Sequence, residues 1–293
     1  MNGYINLLKP PGMSSAAAVA FVKRLTREKC GHAGTLDPEV AGVLPIMVGR
    51  ATRLQQYFTD KTKAYIGEIS FTGATDTQDA QGRIVEAARG VPEQEALERA
   101  IRERFLGDIL QTPPMYSAVK KDGKPLYAIA RSGQTVEIAA RPAQIAHCEV
   151  LSRTDESTYR LKVECSSGTY IRTLFHDIGQ ALDCPAHMRM LIRTRSGSFA
   201  LQNSVTCEDL AAAAEAGEWG GVILPMDWPL SGYESICLPE TLRSPARNGV
   251  PIPFDQLSVD LGQTVRVYNG AGVFFGVGQG CEDGFRMAFI AEP

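Results

Sequence analysis

The sequence predicts a chain that mixes strands and helices over its first two thirds and ends in a small β module. The alternation of apolar and polar residues at 63–72 is typical of a strand, and the amphipathic pattern at 92–105 is typical of a helix. From Glu234 onward, short apolar stretches separated by glycines indicate strands joined by turns. Of the 293 residues, 44% are hydrophobic, so the chain can bury a sizeable core and is neither disordered nor collagen-like.

Local signals predict the other elements in chain order. Residues 3–8 are predicted as a strand that a Pro-Pro-Gly turn at 10–12 ends. Ser14 or Ser15 can cap a helix running to about residue 29, because a hydroxyl accepts hydrogen bonds from the free N–H groups at a helix start. The remaining elements predicted before residue 220 are strands at 144–151 and 159–166 and helices at 168–182 and 206–216.

Composition also bears on where the protein works. No apolar run approaches the roughly 18 residues that a membrane helix needs. The short apolar run at 16–22 does not fit a signal peptide, because a turn precedes it and an amphipathic pattern continues after it. Seven cysteines, an odd number without any Cys-x-x-Cys pair, argue against a disulfide framework or a zinc ribbon. We therefore expect a cytoplasmic protein with reduced thiols and no membrane partner.

The charge is unevenly distributed along the chain. The net charge of −3 argues against a nucleic-acid partner when the chain is taken as a whole. Residues 1–199, however, hold 26 Lys and Arg against 21 Asp and Glu, whereas residues 200–293 hold 4 against 12. The first part is net positive and suits contact with an RNA backbone, and the second part is net negative and suits it poorly.

Asp37 lies in a loop of distinctive composition, CGHAGTLDP at 30–38. Glycines and a proline constrain such a backbone while the polar side chains project from it. The ordinary interpretation is a turn-forming or helix-capping aspartate. A carboxylate on a constrained loop can instead serve as a nucleophile, a general base or a metal ligand, and the residues alone leave these roles open.

Metal and nucleotide chemistry are nevertheless disfavoured. The four histidines never occur at ligand spacing. The glycines near Asp37 match neither the phosphate-loop nor the dinucleotide fingerprint, so ATP and NAD are not expected as cofactors.

Two other side chains have both an ordinary and a functional interpretation. Arg172 follows Gly168-Thr169-Tyr170 at a strand-to-helix junction, where it can form a surface ion pair or bind a carboxylate or phosphate held in place by the fold. Tyr65 alternates within a strand, a position at which tyrosine is more often a core residue than a catalytic one.

Basic side chains cluster in the segment 112–141 and again at 187–195. A run of charges is usually a solvated surface, but the tyrosines interleaved here favour an RNA backbone groove. The residues predicted to contact RNA in this way are Lys120, Lys121, Lys124, Arg131 and Arg193.

Several sequence blocks together resemble one family. GHAGTLDP at 31–38, with GVLP at 42–45, is similar to the signature of the tRNA pseudouridine-55 synthases, the TruB family. The resemblance covers about residues 3–200. The other matching blocks, in the same order and spacing, are NLLKPPG at 6–12, KAY at 63–65, DAQG at 79–82, QTPPMYSA at 111–118, GTYIR at 168–172 and MLIRT at 190–194.

The resemblance implies an α+β architecture, the pseudouridine synthase fold, in which helices flank a central mixed and mostly antiparallel sheet. It implies a catalytic domain over 1–230 that includes a mobile RNA-binding segment at 112–141. A small PUA-like β module that binds RNA is expected at 234–293. No cofactor or metal is implied, and we expect a monomer.

The resemblance also implies roles for single residues. Asp37 corresponds to the essential aspartate, which acts as nucleophile, and Arg172 forms an ion pair with it. Tyr65 stacks on the target base and suits proton abstraction, Leu191 forms an apolar wall of the uracil pocket, and His32 helps to hold the T-loop.

Arg53 departs from the family pattern. Many relatives carry Lys at this position. The positive charge is therefore kept, but a contact with RNA through one ammonium is replaced by one through the forked N–H groups of a guanidinium.

The implied activity is isomerisation of uridine 55 in the T-loop of tRNA to pseudouridine, after the base has been flipped out of the loop. The alternative is a non-catalytic RNA-binding chaperone that uses the same groove to refold tRNA, and a third possibility is a metal-free hydrolase that releases the base. A pure binder has no need of a carboxylate facing RNA phosphates, which favours the enzyme. The C-terminal module is expected to touch the acceptor stem, with Arg243 and Arg247 as the candidate contacts.

Overall fold

The computed structural model describes residues 1–117, 119–121, 123–134 and 136–292, and it describes the backbone alone at Lys120, Pro125, Tyr127 and Arg131. Seventeen strands and six α-helices lie within these described ranges. The strands are β1 (Gly3–Lys9), β2 (Cys30–His32), β3 (Ala41–Val48), β4 (Lys63–Ser70), β5 (Gly73–Thr75), β6 (Ile84–Ala87), β7 (Gly107–Gln111), β8 (Lys120–Lys121), β9 (Lys124–Pro125), β10 (Arg141–Asp155), β11 (Thr158–Cys165), β12 (His187–Ser196), β13 (Phe199–Ala200), β14 (Ser235–Cys237), β15 (Thr264–Tyr268), β16 (Phe274–Cys281) and β17 (Gly284–Ile290). The helices are α1 (Ser15–Thr26), α2 (Gln94–Arg104), α3 (Leu126–Arg131), α4 (Ile171–Ala181), α5 (Cys207–Ala216) and α6 (Glu240–Arg247).

A nine-stranded sheet dominates the first part of the molecule. Its strands follow the order β1-β3-β12-β4-β11-β10-β7, with β2 added beside β3 and β13 beside β12. The pair β3 and β12 is parallel, and the other pairs in this sheet are antiparallel. The expected mixed and mostly antiparallel sheet is therefore confirmed.

The position of β12 between β3 and β4 brings distant parts of the sequence together. The register places Tyr65 of β4 opposite Arg193 of β12, and Gly67 opposite Leu191. A side-chain carbon added at Gly67 would lie 2.7 Å from Leu191 Cδ1, so a glycine is needed there to leave room for the leucine. Alternate residues of a strand face the same side, and Tyr65 and Gly67 therefore share one face of β4.

The helix ends follow from local chemistry. Ser14 is the N-cap of α1, and its hydroxyl accepts a hydrogen bond from the N–H of Ala17 at 3.1 Å. The helix ends before the expected residue 29 because Arg27 adopts a left-handed conformation with φ of 58°. Thr206 and Asp209 cap α5 reciprocally, as the predicted helix at 206–216 requires.

The strands predicted at 144–151 and 159–166 are found as the antiparallel pair β10 and β11. β10 extends to Asp155 and is longer than predicted, because its far end continues to pair with β11 after two irregularities of register. The strand predicted at 63–72 is found as β4, which ends at Ser70, and both of its faces are largely buried because β4 lies inside the sheet.

The molecule has a main hydrophobic core and a smaller one. The main core lies between the large sheet and helices α1, α2, α4 and α5. The C-terminal sheet, in the order β14-β15-β16-β17, surrounds its own buried cluster that includes Val265, Phe275 and Phe285. A further cluster joins the two parts through Leu54 and Phe289.

Among the helices in the described ranges, none is long and apolar enough to cross a membrane.

Candidate active site

Asp37 lies in the loop between β2 and β3, and buried contacts hold this loop in one conformation. Leu36 is buried, and both its N–H and its carbonyl bond to the hydroxyl of Ser15 at 2.8 Å. The N–H of Val40 donates to the carbonyl of Asp37 at 3.1 Å and closes a turn around Pro38. The Asp37 carboxylate is thus presented from a backbone that is already ordered.

A buried lysine supports the same loop. Lys9 is fully buried, and its Nζ donates to the carbonyls of Pro10 at 2.7 Å, Met13 at 2.6 Å and Pro38 at 2.9 Å. Burial lowers the pKa of Lys9 to about 8, and the charge of Asp37 opposes this shift. Lys9 is not among the predicted site residues. The available signal was a charged residue at the end of an otherwise apolar strand, inside a block that the resemblance includes.

The structure brings Asp37 and Arg172 into direct contact. Arg172 Nε lies 2.9 Å from Asp37 Oδ2. The Arg172 side chain, in the first turn of α4, is only 5% exposed, whereas the Asp37 side chain is 42% exposed. The arginine is therefore a buried support, and the carboxylate is the partner that solvent and substrate can reach.

Arg172 also connects Asp37 to two other parts of the chain. Its Nη1 lies 3.1 Å from the carbonyl of Thr77 and 3.5 Å from Asp79 Oδ2, and its Nη2 donates to the carbonyl of Tyr116 at 2.9 Å. Asp79 is a second carboxylate beside the guanidinium that the sequence did not single out, although its block at 79–82 belongs to the resemblance. Tyr116 belongs to the segment 112–141, so this segment touches the same arginine that holds Asp37.

The start of α4 is anchored by a buried amide. Gln111, at the end of β7, donates from Nε2 to the carbonyl of Tyr170 at 3.2 Å and accepts at Oε1 from the N–H of the same residue at 3.0 Å. Tyr170 is the N-cap of α4 and lies two residues before Arg172. These two bonds fix the helix start and, with it, the direction in which Arg172 points.

Opposing effects act on the charge of Asp37. Burial in the site raises the pKa of the carboxyl above its ordinary value, and the neighbouring charge of Asp79 adds to this. The guanidinium of Arg172 and the ammonium of Lys9 oppose the shift. The net pKa is raised, so the carboxylate is a stronger base than an exposed aspartate.

Asp37 opens into a cavity of about 520 Å³. Tyr65 and Leu191, both almost fully buried, form walls of this cavity together with the loop at Gly168 and Thr169. Burial raises the pKa of Tyr65 to about 12, so its phenol stays neutral near neutral pH. The cavity thus combines an aromatic ring, an apolar side chain and a carboxylate, which suits a flat ring that carries polar groups.

Arg193 corrects a sequence-based expectation. It was expected to contact RNA, but its side chain is fully buried. Its guanidinium donates to the carbonyls of Val43 at 2.8 Å, Gly34 at 3.0 Å and Thr35 at 3.3 Å. Arg193 therefore holds the loop that leads to Asp37, and its charge does not reach the surface because the guanidinium is buried against the carbonyls of that loop.

The other two arginines of β12 are already paired with acids. Arg189 is in contact with Asp155, and Arg195 lies 3.4 Å from Asp60 and 3.2 Å from Glu164. The arginines of 187–195 therefore do not form an unpaired basic surface for RNA among the described residues, because folding placed acids from other segments beside them.

His32 and Arg53 lie outside the walls of the cavity. His32 ends β2 and is half-buried, and its Nδ1 is buried without a hydrogen-bond partner among the described residues. Burial lowers the pKa of His32. Arg53 is exposed in a short 3₁₀ helix (Gly49–Arg53), where it borders a second cleft of about 550 Å³ between this helix and β17.

The basic residues of the segment 112–141 lie partly outside the described side chains. Lys121 and Lys124 are exposed, and Lys121 Nζ donates to the carbonyl of Glu137 at 2.5 Å. The predicted RNA contacts at Lys120 and Arg131 lie outside the described side chains.

The expected acceptor-stem contacts in the C-terminal module meet acids instead. Arg243 lies 2.7 Å from Glu240 and 3.9 Å from Glu292, and Arg247 lies 3.2 Å from Glu292. Both guanidinium groups also sit 5.8 Å from the ring of Phe275. Their charges are thus partly balanced by neighbouring acids, and the acceptor-stem contact stays a prediction.

Comparison with known proteins agrees with this geometry. Residues 23–171 match the family described as TruB family pseudouridylate synthase (N terminal domain), and residues 172–231 match the tRNA pseudouridylate synthase B C-terminal domain. Among curated relatives, tRNA pseudouridine synthase B of Heliobacterium modesticaldum is 52% identical over 72% of this chain and 70% of its own length. The enzyme of the same name from Stutzerimonas stutzeri is 42% identical over 97% of this chain and 93% of its own length.

Solved structures show the same fold. A chain in the crystal structure of a Cbf5-Nop10-Gar1 complex superimposes with a TM-score of 0.74 at 26% identity, covering 99% of this chain and 85% of that one. A chain in a structure of an H/ACA RNP bound to a substrate RNA containing 2′-deoxyuridine gives a TM-score of 0.74 at 25% identity, with the same two coverages. The likeness includes the C-terminal sheet, because almost the whole chain is covered.

Proposed function

The chain belongs to the TruB family of pseudouridylate synthases, and we propose that it isomerises uridine 55 in the T-loop of tRNA to pseudouridine. Because members of this family are pseudouridylate synthases, the chain is an isomerase. Support for tRNA as the substrate comes from relatives of 40–52% identity that are named tRNA pseudouridine synthase B. Support for an RNA substrate also comes from the likeness to a chain in a complex with substrate RNA.

The observation that carries the proposal is the ion pair of Asp37 and Arg172 at a cavity that Tyr65 and Leu191 also line. A uridine within a folded loop must leave its stack before an enzyme can reach its ring, which costs a few kcal/mol. Stacking on Tyr65 and contact with Leu191 can offset this cost once the base has entered. The carboxylate would then lie beside the nucleotide in a pocket from which bulk water is largely excluded.

The reaction breaks the C1′–N1 bond, turns the uracil and joins C1′ to C5. Asp37 is the group that acts on the nucleotide, by attack at C1′, by attack at C6 or by taking a proton from the sugar. Arg172 supports the charged form of Asp37 against its desolvation. The raised pKa of Tyr65 favours a stacking role over proton abstraction, because a phenol that remains neutral is a weak base.

Several surface residues supply the remaining contacts in this proposal. Arg53, together with Arg50 in the same cleft beside β17, binds the RNA backbone, and His32 supports the T-loop. Lys121 and Lys124 add positive charge from the segment 112–141, which folds over the bound RNA. Residues 1–230 act as the catalytic domain, and residues 234–293 act as an accessory RNA-binding module in a monomer.

The test is to incubate the protein with an unmodified tRNA transcript, without added metal or nucleotide, and to map any pseudouridine formed. We expect pseudouridine at position 55, and no product when that uridine is replaced by cytidine. Asp37→Asn should still bind the transcript but form no pseudouridine.

Other outcomes would support the competing functions. Release of free uracil would indicate a hydrolase. Refolding of the transcript by both the unaltered protein and Asp37→Asn, without any pseudouridine, would indicate a chaperone. Normal isomerisation by Asp37→Asn would contradict the role assigned to this carboxylate.

A further inference from the structure

Lys63 is a second cation of the cavity that the roles above do not use. It begins β4 two residues before Tyr65, so the two side chains lie on the same face of the strand. Both side chains line the cavity into which Asp37 opens. Its cross-strand partners are Cys165 at the end of β11 and Ser196 at the end of β12. Strand pairing on both sides therefore fixes the backbone of Lys63.

The positive charge of Lys63 is not balanced by a partner. Across the described residues, its ammonium has no carboxylate within 4.0 Å and no hydrogen-bond acceptor. Two acids line the cavity: Asp37 pairs with Arg172, and Asp60, whose charge acts on Lys63 without direct contact, lies 3.4 Å from Arg195.

A second cation lies close by. A side-chain carbon built on Gly34 would lie 3.7 Å from Lys63 Nζ and 3.8 Å from Arg193 Nη1. Arg193 donates to three neutral carbonyls, so its positive charge adds to that of Lys63. Burial and this neighbouring guanidinium lower the pKa of Lys63. The wall beside Tyr65 therefore holds excess positive charge, and a half-buried site makes its attraction for an entering anion stronger than it would be in water.

The reaction creates an anion at this place. If the C1′–N1 bond breaks through attack at C1′ or loss of a sugar proton, its electron pair stays on the uracil, spread over N1 and the carbonyl oxygens. If a carboxylate attacks C6 first, the electron pair of the C5–C6 double bond moves to the O4 carbonyl. All three routes therefore put negative charge on the ring. C5 then bonds to C1′ and loses its proton, and N1, which carried no proton in uridine, gains one.

We propose that the Lys63 ammonium stabilises the negative charge on the uracil while the base is detached, and that Lys63 is a further catalytic residue of this site. The inference rests on the proposed function. A ring stacked on Tyr65 with its sugar at Asp37 extends away from the carboxylate, toward the wall formed by Lys63. An RNA phosphate is the less fitting partner, because the exposed Lys61 of the same cavity meets solvent first.

The test compares Lys63→Met, Lys63→Arg and the control Lys162→Met on a T-arm stem-loop RNA, since Lys162 lies on the neighbouring strand β11 outside the cavity walls. Two quantities are measured, the dissociation constant of the RNA and the rate of pseudouridine formation in a single turnover at saturating enzyme. We expect Lys63→Met to lower the single-turnover rate by about 100-fold or more, the scale of a lost transition-state charge contact, with the dissociation constant changed by less than about threefold. Lys63→Arg should recover part of the rate, and Lys162→Met should leave the rate unchanged.

Other outcomes would overturn the inference. A higher dissociation constant with an unchanged rate in Lys63→Met means that Lys63 binds a phosphate. Equal loss of rate in Lys63→Met and Lys63→Arg, with normal thermal unfolding of both, means that packing and not charge is required. If Lys63→Met does not fold, Lys63→Gln serves in its place with the same expectations. Failure of the unaltered protein to form pseudouridine would overturn the proposed function, whereas normal rates in Lys63→Met and Lys63→Gln beside an active unaltered protein would overturn this inference alone.

Discussion

The buried arginines of the first part of the molecule and the surface arginines of the C-terminal module have different partners. In the first part, Arg172 of α4 and Arg193 of β12 are buried, and each bonds to backbone carbonyls of segments far away in the sequence. In the C-terminal module, Arg243 and Arg286 each pair with an acid three residues earlier, at the surface. A buried guanidinium with carbonyl partners fixes the relative position of loops, whereas an exposed pair adds little to stability.

This difference shows that a count of charges does not locate an RNA-binding surface. The positive charge of residues 1–199 includes Lys9, Arg172 and Arg193, none of which is free to meet a phosphate. Part of the excess that favoured RNA binding is therefore an internal framework for Asp37. Accessible cations beside the cavity and its neighbouring cleft include Lys61 and Arg53.

The largest effect is expected from removing the ion-pair partner of Asp37. Arg172→Met should lower the single-turnover rate on a T-arm stem-loop by on the order of 1,000-fold, because both the charge beside Asp37 and the bond to the Tyr116 carbonyl are lost. Arg172→Lys should recover only part of the rate, since lysine cannot make the same forked contacts. A loss of less than tenfold in Arg172→Met, with normal folding, would show that the pair is structural and does not serve the reaction.

The next effect concerns stability. Arg193→Met should lower the free energy of unfolding by about 2–4 kcal/mol, because three buried carbonyls lose their donor. Urea unfolding measures this, with Arg189→Met on the same strand as the control, since Arg189 is half-exposed and should change stability little. If Arg193→Met instead left stability unchanged and weakened RNA binding, the original expectation of an RNA contact would be right after all.

The dependence of activity on pH should report the raised pKa of Asp37. A carboxyl whose pKa is raised takes up its proton at a higher pH than the typical value of about 3.9 for aspartate, so kcat/KM should decline on the acid side before an exposed aspartate would titrate. Since the guanidinium opposes the shift, the residual activity of Arg172→Lys should show its acid limb at the same pH, and that of Arg172→Met at a higher pH. Identical acid limbs in all three proteins would mean that another group controls the profile.

The smallest effect is expected in the C-terminal module. The double variant Arg243→Gln, Arg247→Gln should change the KM for full-length tRNA by on the order of twofold or less, because acids already balance both charges. Arg53→Gln, whose side chain is exposed beside β17, should raise that KM more. The T-arm stem-loop is the control substrate. A large loss in the double variant on full-length tRNA alone would restore the acceptor-stem contact that we first expected.

Much of the fold could be predicted from local sequence. Caps at Ser14 and Thr206 mark two helix starts, and alternation marks β4, because these signals depend only on neighbouring residues. The order of the sheet could not be derived in this way. β12 lies between β3 and β4 although more than a hundred residues separate it from either, and no local pattern records that pairing.

The sequence by itself determined the family, the chemistry available at Asp37, Tyr65 and Arg172, and the division between a basic and an acidic part of the chain. The tertiary structure alone decided which cations are buried, that Arg193 holds the loop before Asp37 and Lys9 holds it after, and that Lys63 faces the cavity with no carboxylate within 4.0 Å among the described residues. The physical reason is that a residue type specifies what a side chain can do, whereas its burial and its partners are set by strands and loops that meet only when the chain has folded.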